Sequence, residues 1–200
     1  VSTLEPNESS SYHHGNLREA LLINGLKLLE SSKGIDFSMR ELTRMIGVSA
    51  NAVYRHFSSK EELLTALAIY GFEQLLEAQA QAINMARNAK DGFLNSGKEY
   101  IYFAIQNPSL FKLMYGRFVV NQEDEKLKNM TNLFYTGMSY SAAAAFNEDV
   151  NTHKIQTITT LAWGTVHGLS HLIIDGQFNH LAEDAIKTMI DDVINTAVPL

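Results

Sequence analysis

The chain has no cysteine among its 200 residues. A disulfide framework, a zinc–thiolate site and a thiol nucleophile are therefore all excluded, and the composition suits a reducing compartment. Proline is nearly as scarce. Pro6, Pro108 and Pro199 are the three, so Pro108 is the one interior helix breaker. No apolar run approaches the roughly 18 residues of a membrane span. The first residues, VSTLEPNESSSYHHGN, lack the apolar centre of a signal peptide. Together these absences predict a cytoplasmic protein with no membrane partner. Positive charge is also in short supply: 16 Lys and Arg stand against 22 Asp and Glu, net −6, which argues against coating nucleic acid over the whole surface. HExxH, GxSxG and a glycine-rich phosphate loop are missing, as is a convincing acid/base pair. Neither catalysis nor a resident cofactor or metal is expected.

What remains is a helical pattern. Apolar residues make up 46% of the chain, enough to bury a core. The apolar spacing is helical almost throughout, which predicts an all-α fold of about nine helices. A first helix is expected near 16–32, with Leu17, Ala20, Leu21, Leu28 and Leu29 as its apolar stripe. In "FSMREL", Ser38 and Glu41 form a capping box inside a staple of Phe37 and Leu42. That helix should stop at Gly47, and Ser49 should cap another ending near His56. Ser59 and Glu62 can make a second capping box, opening a long helix to about residue 88. Further helices are expected near 91–106, after Pro108, and near 123–147, 151–175 and 181–196. The domain division that follows is a flexible tail at 1–14, a helix-turn-helix domain at 15–60 and a helical domain at 61–200.

The segment "SMRELTRMIGVSANAVYRHFSSKEEL", residues 38–63, stands out by what its apolar residues leave over. Two short helices joined by a glycine turn make a helix-turn-helix, whose second helix enters the major groove of DNA. Val53 and Phe57 should point inward with Leu42, Ile46 and Val48, leaving Ala50, Asn51, Tyr54 and Arg55 outward. Asn51 suits adenine, Arg55 suits guanine or phosphate, and the small Ala50 lets the helix sit close. The helix starts at Ser38 and Ser49 offer N–H groups to phosphate, and Arg40, Tyr54, His56 and Lys60 can add backbone contacts. Residues 38–60 carry Arg40, Arg44, Arg55 and Lys60 against Glu41 alone. Residues 66–200 hold nine Lys and Arg against fourteen Asp and Glu, so an anionic partner should meet the short segment. The bland alternative is an ordinary helical hairpin with a solvated charged face, and a helical protein-interaction module is a further reading.

"MRELTRMIGVSANAVYRHFSSKEELLTAL" resembles the DNA-binding segment of the TetR family of transcriptional regulators. The Gly47-Val48-Ser49 turn, Val53-Tyr54, His56-Phe57, and Lys60 followed by Glu62-Leu63 carry the likeness. The resemblance implies that Tyr54, His56 and Lys60 lie at the DNA backbone and that Arg40 can reach a base or phosphate. It also implies a homodimer on a double-stranded operator, released by a small-molecule effector of unknown identity, with repression as the family default.

The remainder of the chain is acidic and aromatic. "KEYIYFAIQNPSLFKLMYGRF" contains Tyr102, Phe103, Phe111, Met114, Tyr115 and Phe118. Such rings usually build core, yet their number suggests a cavity, with Phe134, Trp163 and His167 as further lining. "LAWGTVHGLSHLIIDG" resembles the Trp-x-x-x-His-Gly (WHG) signature of one TetR-family C-terminal domain, here Trp163, His167 and Gly168. Gly164 and Gly168 form a small-residue stripe that lets another helix approach. With His171, Leu172 and Asp175 they are the candidate dimer interface, within helices near 153–175 and 181–196. His167, His171 and Asp175 also have metal-ligand spacing, which leaves a metal-dependent hydrolase as a poor alternative.

Overall fold

A computed structural model describes residues 17–116 and 119–197. The expected tail at 1–14 and the candidate Phe118 lie outside them. Among the described residues there are nine helices and no strand. They are α1 Leu17–Ser31, α2 Met39–Ile46, α3 Ala50–Tyr54, α4 Lys60–Asn84, α5 Ala89–Gln106, α6 Pro108–Met114, α7 Glu125–Phe146, α8 His153–Ile174 and α9 Glu183–Ala197.

The short helices begin and end where their side chains provide caps. Ser38 Oγ accepts the Glu41 N–H while the Glu41 carboxylate accepts the Ser38 N–H at 2.6 Å, completing the capping box at α2. A cap of this kind contributes about 1 kcal/mol. Gly47 ends α2 at φ 75°, a left-handed conformation that costs glycine nothing. Ser49 then caps α3 by accepting the Ala52 N–H. The helix closes at Tyr54, two residues before the expected end.

The start of α4 departs from expectation in one respect. Ser59 Oγ accepts the Glu62 N–H, but the Glu62 carboxylate returns to Ser58, taking its N–H and hydroxyl at 2.7 Å each. The reciprocal pair is thus shared between two serines. These bonds, first the one from the Ser58 hydroxyl, hold the Glu62 carboxyl below its ordinary range.

α5 lies at the centre, packed on α4, α6, α7, α8 and α9. α1 touches α2, α4 and α6, so the helix-turn-helix segment is seated on the rest rather than strung from it. One apolar core runs from Leu21, Leu42 and Phe57 through Leu67 and Phe72 to Phe111 and Leu169. Two contacts fasten this junction. Glu30 of α1 accepts the Leu110 N–H at 3.0 Å at the start of α6. The approach of α4 to α6 is so close that a Cβ on Gly71 would lie 2.6 Å from Met114 Sδ. Among the described residues no helix is long and apolar enough to cross a membrane.

Candidate functional site

The first site is the outward face of α3. Val53 and Phe57 are fully buried in the apolar core, and α3 packs on α2. The opposite face carries Ala50, Asn51, Tyr54 and Arg55, all exposed, with Ser49 beside them. Among the described residues the side chains of Asn51, Tyr54 and Arg55 make no hydrogen bond or ion pair, so their polar groups face solvent. Arg40 and Arg44 are exposed on α2, and His56 is half-buried at the end of the turn after α3. The face is therefore basic, with small residues at its centre.

Two residues of the expected set are engaged within the protein. The hydroxyl and N–H of Ser38 both donate to Glu41, so this helix start is occupied by its own carboxylate. These bonds, the backbone one first, hold the Glu41 carboxyl below its usual range. Lys60 Nζ donates to the Ile35 carbonyl and sits 5.0 Å from the centre of the Phe37 ring. Its charge remains near the face, but its position is set by the loop before α2. Arg18 lies 5.1 Å over the Phe57 ring and adds a cation that the sequence reading did not single out.

The second site lies between α5, α6, α7 and α8. Phe111 is fully buried, with the rings of Tyr100, Tyr115, His167 and His171 centred 5.2–5.6 Å away. Tyr100 Oη lies 2.9 Å from Tyr115 Oη and 2.8 Å from His167 Nδ1. The three groups form a chain in which each phenol has one proton to give, and the His167 tautomer sets the direction of its bond with Tyr100. Burial pushes both phenols up, so they stay protonated. The Trp163 indole N–H acts in the opposite direction on both hydroxyls while making no hydrogen bond of regular geometry. Trp163 packs on Phe134 and His167 at ring distances of 6.3 and 6.0 Å.

Burial, and then the neighbouring His171, hold the His167 imidazole below its ordinary pKa. The unfolded chain therefore binds this proton first as pH falls below about 6.5. The neutral-His167 contribution to stability is complete above that pH and is lost on descent toward the folded-state pKa. Wild-type melting temperature should fall between pH 7.5 and 5.5, and His167→Gln should flatten that slope. An unchanged slope in the variant would contradict the assignment.

The rings read from sequence as cavity lining pack mainly on one another. Phe103, Phe111 and Met114 are buried core, and Tyr102 and Tyr115 flank that core half-buried. A cavity of about 170 Å³ lies one layer away, among α4, α5, α7, α8 and α9. Phe134 is the member of the expected set that borders it, and Tyr100 joins it from the packed cluster. Small residues such as Ala80, Gly97 and Ala162 leave this room.

The candidate interface residues on α8 divide between two directions. Gly164 and Gly168 are exposed with open space before them, and Leu172 is 46% exposed in line with Leu161 at 54%. His171 instead packs against Phe111, and Asp175 pairs with Lys112 at 2.6 Å, both toward α6. The hydrogen bond from Lys112 holds the Asp175 carboxyl low. His171 Nδ1 lies 3.9 Å from Asp175 Oδ2, but His167 Nδ1 faces Tyr100 and Asp175 faces Lys112, so the three residues with metal-ligand spacing are not placed as one ligand set. Among the described residues no group of three His, Asp or Glu side chains is placed to share an ion.

Two short helices anchored by buried Leu42, Val53 and Phe57, with an exposed face bordered by Arg40, Arg44 and Arg55, define a helix-turn-helix DNA-binding protein. Residues 27–67 match the family of bacterial regulatory proteins of the tetR type, and residues 93–196 match the tetracyclin repressor-like C-terminal domain. The chain belongs to the TetR family of DNA-binding transcriptional regulators. It is 25% identical over 147 residues to a nucleoid occlusion factor, SlmA, of Marinobacter nauticus, covering 74% of this chain and 75% of that protein. A Rhodococcus sp. RHA1 protein of unknown function superposes with a TM-score of 0.77 at 26% identity, over 95% of this chain and 98% of that one. The Bacillus subtilis regulator FadR, solved with stearoyl-CoA, shares the fold with a TM-score of 0.66 at 13% identity, over 90% and 97% of the two chains.

Proposed function

We propose that this protein is a cytoplasmic homodimeric repressor, without enzymatic activity, that leaves its operator when a small effector binds. The observation that carries the reading is the exposure of Asn51, Tyr54 and Arg55 on a helix whose other face is anchored by fully buried Val53 and Phe57. Residues 15–60 serve as the DNA-binding domain and 61–200 as the sensing and dimerising domain. Asn51 and Arg55 read base edges. Arg40, Tyr54, His56 and Lys60 hold phosphates, with the amides at the start of α3 beside Ser49 and Ala50. Ser38 contributes by shaping α2.

The dimer is formed through α8 and α9 of each subunit. The exposed stripe of Leu161, Gly164, Gly168 and Leu172 supports this, because small residues between apolar ones let two helices approach closely. The two α3 helices then enter major grooves about one turn, roughly 34–36 Å, apart on a near-palindromic site. The C-terminal domain is of the Trp-x-x-x-His-Gly type; the packing of Trp163 on His167 supports that subtype. An effector acts through unequal affinity for the two states of the dimer.

The test is binding to a duplex selected from a random-sequence pool, titrated at several salt concentrations. Affinity should fall by about 10³-fold or more between 50 and 200 mM salt if six or more phosphates are contacted. A flat salt response would favour the protein-interaction module instead.

A further inference from the structure

The cavity beside the aromatic cluster has a lining that constrains what can occupy it. Its bordering residues include no Asp, Glu, Lys, Arg or His. Most of its polar atoms are already engaged. Gln79 Nε2 donates to the Ser96 carbonyl at 3.0 Å, the Ser96 hydroxyl to the Phe93 carbonyl at 2.8 Å, and the Thr165 hydroxyl to the Leu161 carbonyl at 2.9 Å. Tyr100 turns its hydroxyl away to Tyr115 and His167 and offers the cavity its ring. The Gln79 side-chain carbonyl and the Ser141 hydroxyl are what remain for a guest.

We propose that this cavity binds a small uncharged apolar molecule, of single-ring or short-chain size and with at most one hydroxyl group. The proposal rests on the ligand-responsive reading above and names the class of effector. Size supports it: an apolar cavity of about 150 Å³ accommodates benzene, and this one measures about 170 Å³. Charge supports it equally. A carboxylate, ammonium or phosphate placed against this lining would give up part of its water and meet no counter-ion among the bordering residues. A single hydroxyl can donate to the Gln79 carbonyl or exchange hydrogen bonds with Ser141, while the remainder of the guest meets Phe93, Met138 and Val166.

Gly97 gives the means to close the site. A Cβ there would lie 3.5 Å from Val166 Cγ1 and 3.8 Å from Ile194 Cδ1, ordinary contacts at the cavity wall. Gly97→Leu therefore directs its longer side chain into the void and also replaces a poor helix former in α5. Ala162→Leu fills the site from α8.

The experiment takes the full chain with four probes: toluene and p-cresol, which are neutral, and benzoate and benzylamine, which are charged. At about ten times Kd the neutral probes should raise Tm by about 3–6 °C. The charged pair should leave it unchanged at the same concentrations. Gly97→Leu and Ala162→Leu should each weaken toluene binding at least about tenfold in calorimetry, while Gly97→Ala retains it. Equal binding of benzoate or benzylamine would overturn the proposal. So would toluene binding that survives in both filled variants, or no binding of either neutral probe to folded wild-type protein. Affinity for the selected duplex, measured on the same samples, separates the two readings. Toluene binding with no effect on DNA affinity leaves the ligand class standing and removes the effector role. Duplex binding without any bound probe does the reverse.

Discussion

Replacing Asn51, Tyr54 and Arg55 together by alanine should weaken binding to the selected duplex by about a thousandfold or more at fixed salt. Each bidentate base contact is worth roughly 1–3 kcal/mol, and about 4 kcal/mol in total corresponds to that factor. The fold should be untouched. All three side chains are exposed and lack hydrogen-bond or ion-pair partners among the described residues. Such surface changes usually alter stability by no more than about 0.5 kcal/mol each. Gel-shift titration beside a melting curve makes the comparison. Retained affinity would remove α3 as the reading element. Arg40→Ala should behave differently, weakening specific and unrelated duplexes alike and flattening the salt dependence, because a phosphate contact positions without discriminating.

Phe111→Ala should cost about 3–5 kcal/mol of stability and lower Tm by roughly 10 °C. The ring has no exposed surface and is enclosed by Tyr100, Tyr115, His167 and His171. Its removal leaves a void at the point where α6 is held to α5 and α8, and edge-to-face partners lose their contacts as well. Thermal unfolding of the variant checks the value. A loss below about 1 kcal/mol would mean that the position is open to a guest, as a lining residue would be, rather than closed by its neighbours.

Much of the helix-turn-helix was legible because its boundaries depend on local chemistry. Ser38, Glu41, Gly47 and Ser49 satisfy or terminate backbone hydrogen bonds within four residues of themselves, and a linear sequence displays such relations directly. The second capping box misled on a finer point. Ser58 and Ser59 are adjacent, and spacing alone does not say which one receives the Glu62 carboxylate. Lys60 was less legible still. Its preference for the Ile35 carbonyl spans 25 residues and depends on how the loop before α2 folds back.

The cavity lies beside the large rings for a physical reason. The rings themselves fill space: Tyr100 meets His167 across 67 residues and Phe111 closes the gap. Room was left instead where small side chains meet at helix crossings, at Ala80, Gly97 and Ala162. Small residues have no distinctive mark in sequence, because whether they seal a crossing or leave it open depends on the partner helix.

The apolar interior that passes without a break from α1 through α4 to α8 bears on how the molecule comes apart. Heating should produce one heat-absorption peak whose calorimetric and van't Hoff enthalpies agree for each subunit. A fragment ending near residue 60 would leave Leu21, Leu29 and Phe57 without the covering they receive from Leu63 and Leu67, and should clump or melt at low temperature. On this expectation the reading head is one end of a single melting unit rather than a body that folds alone.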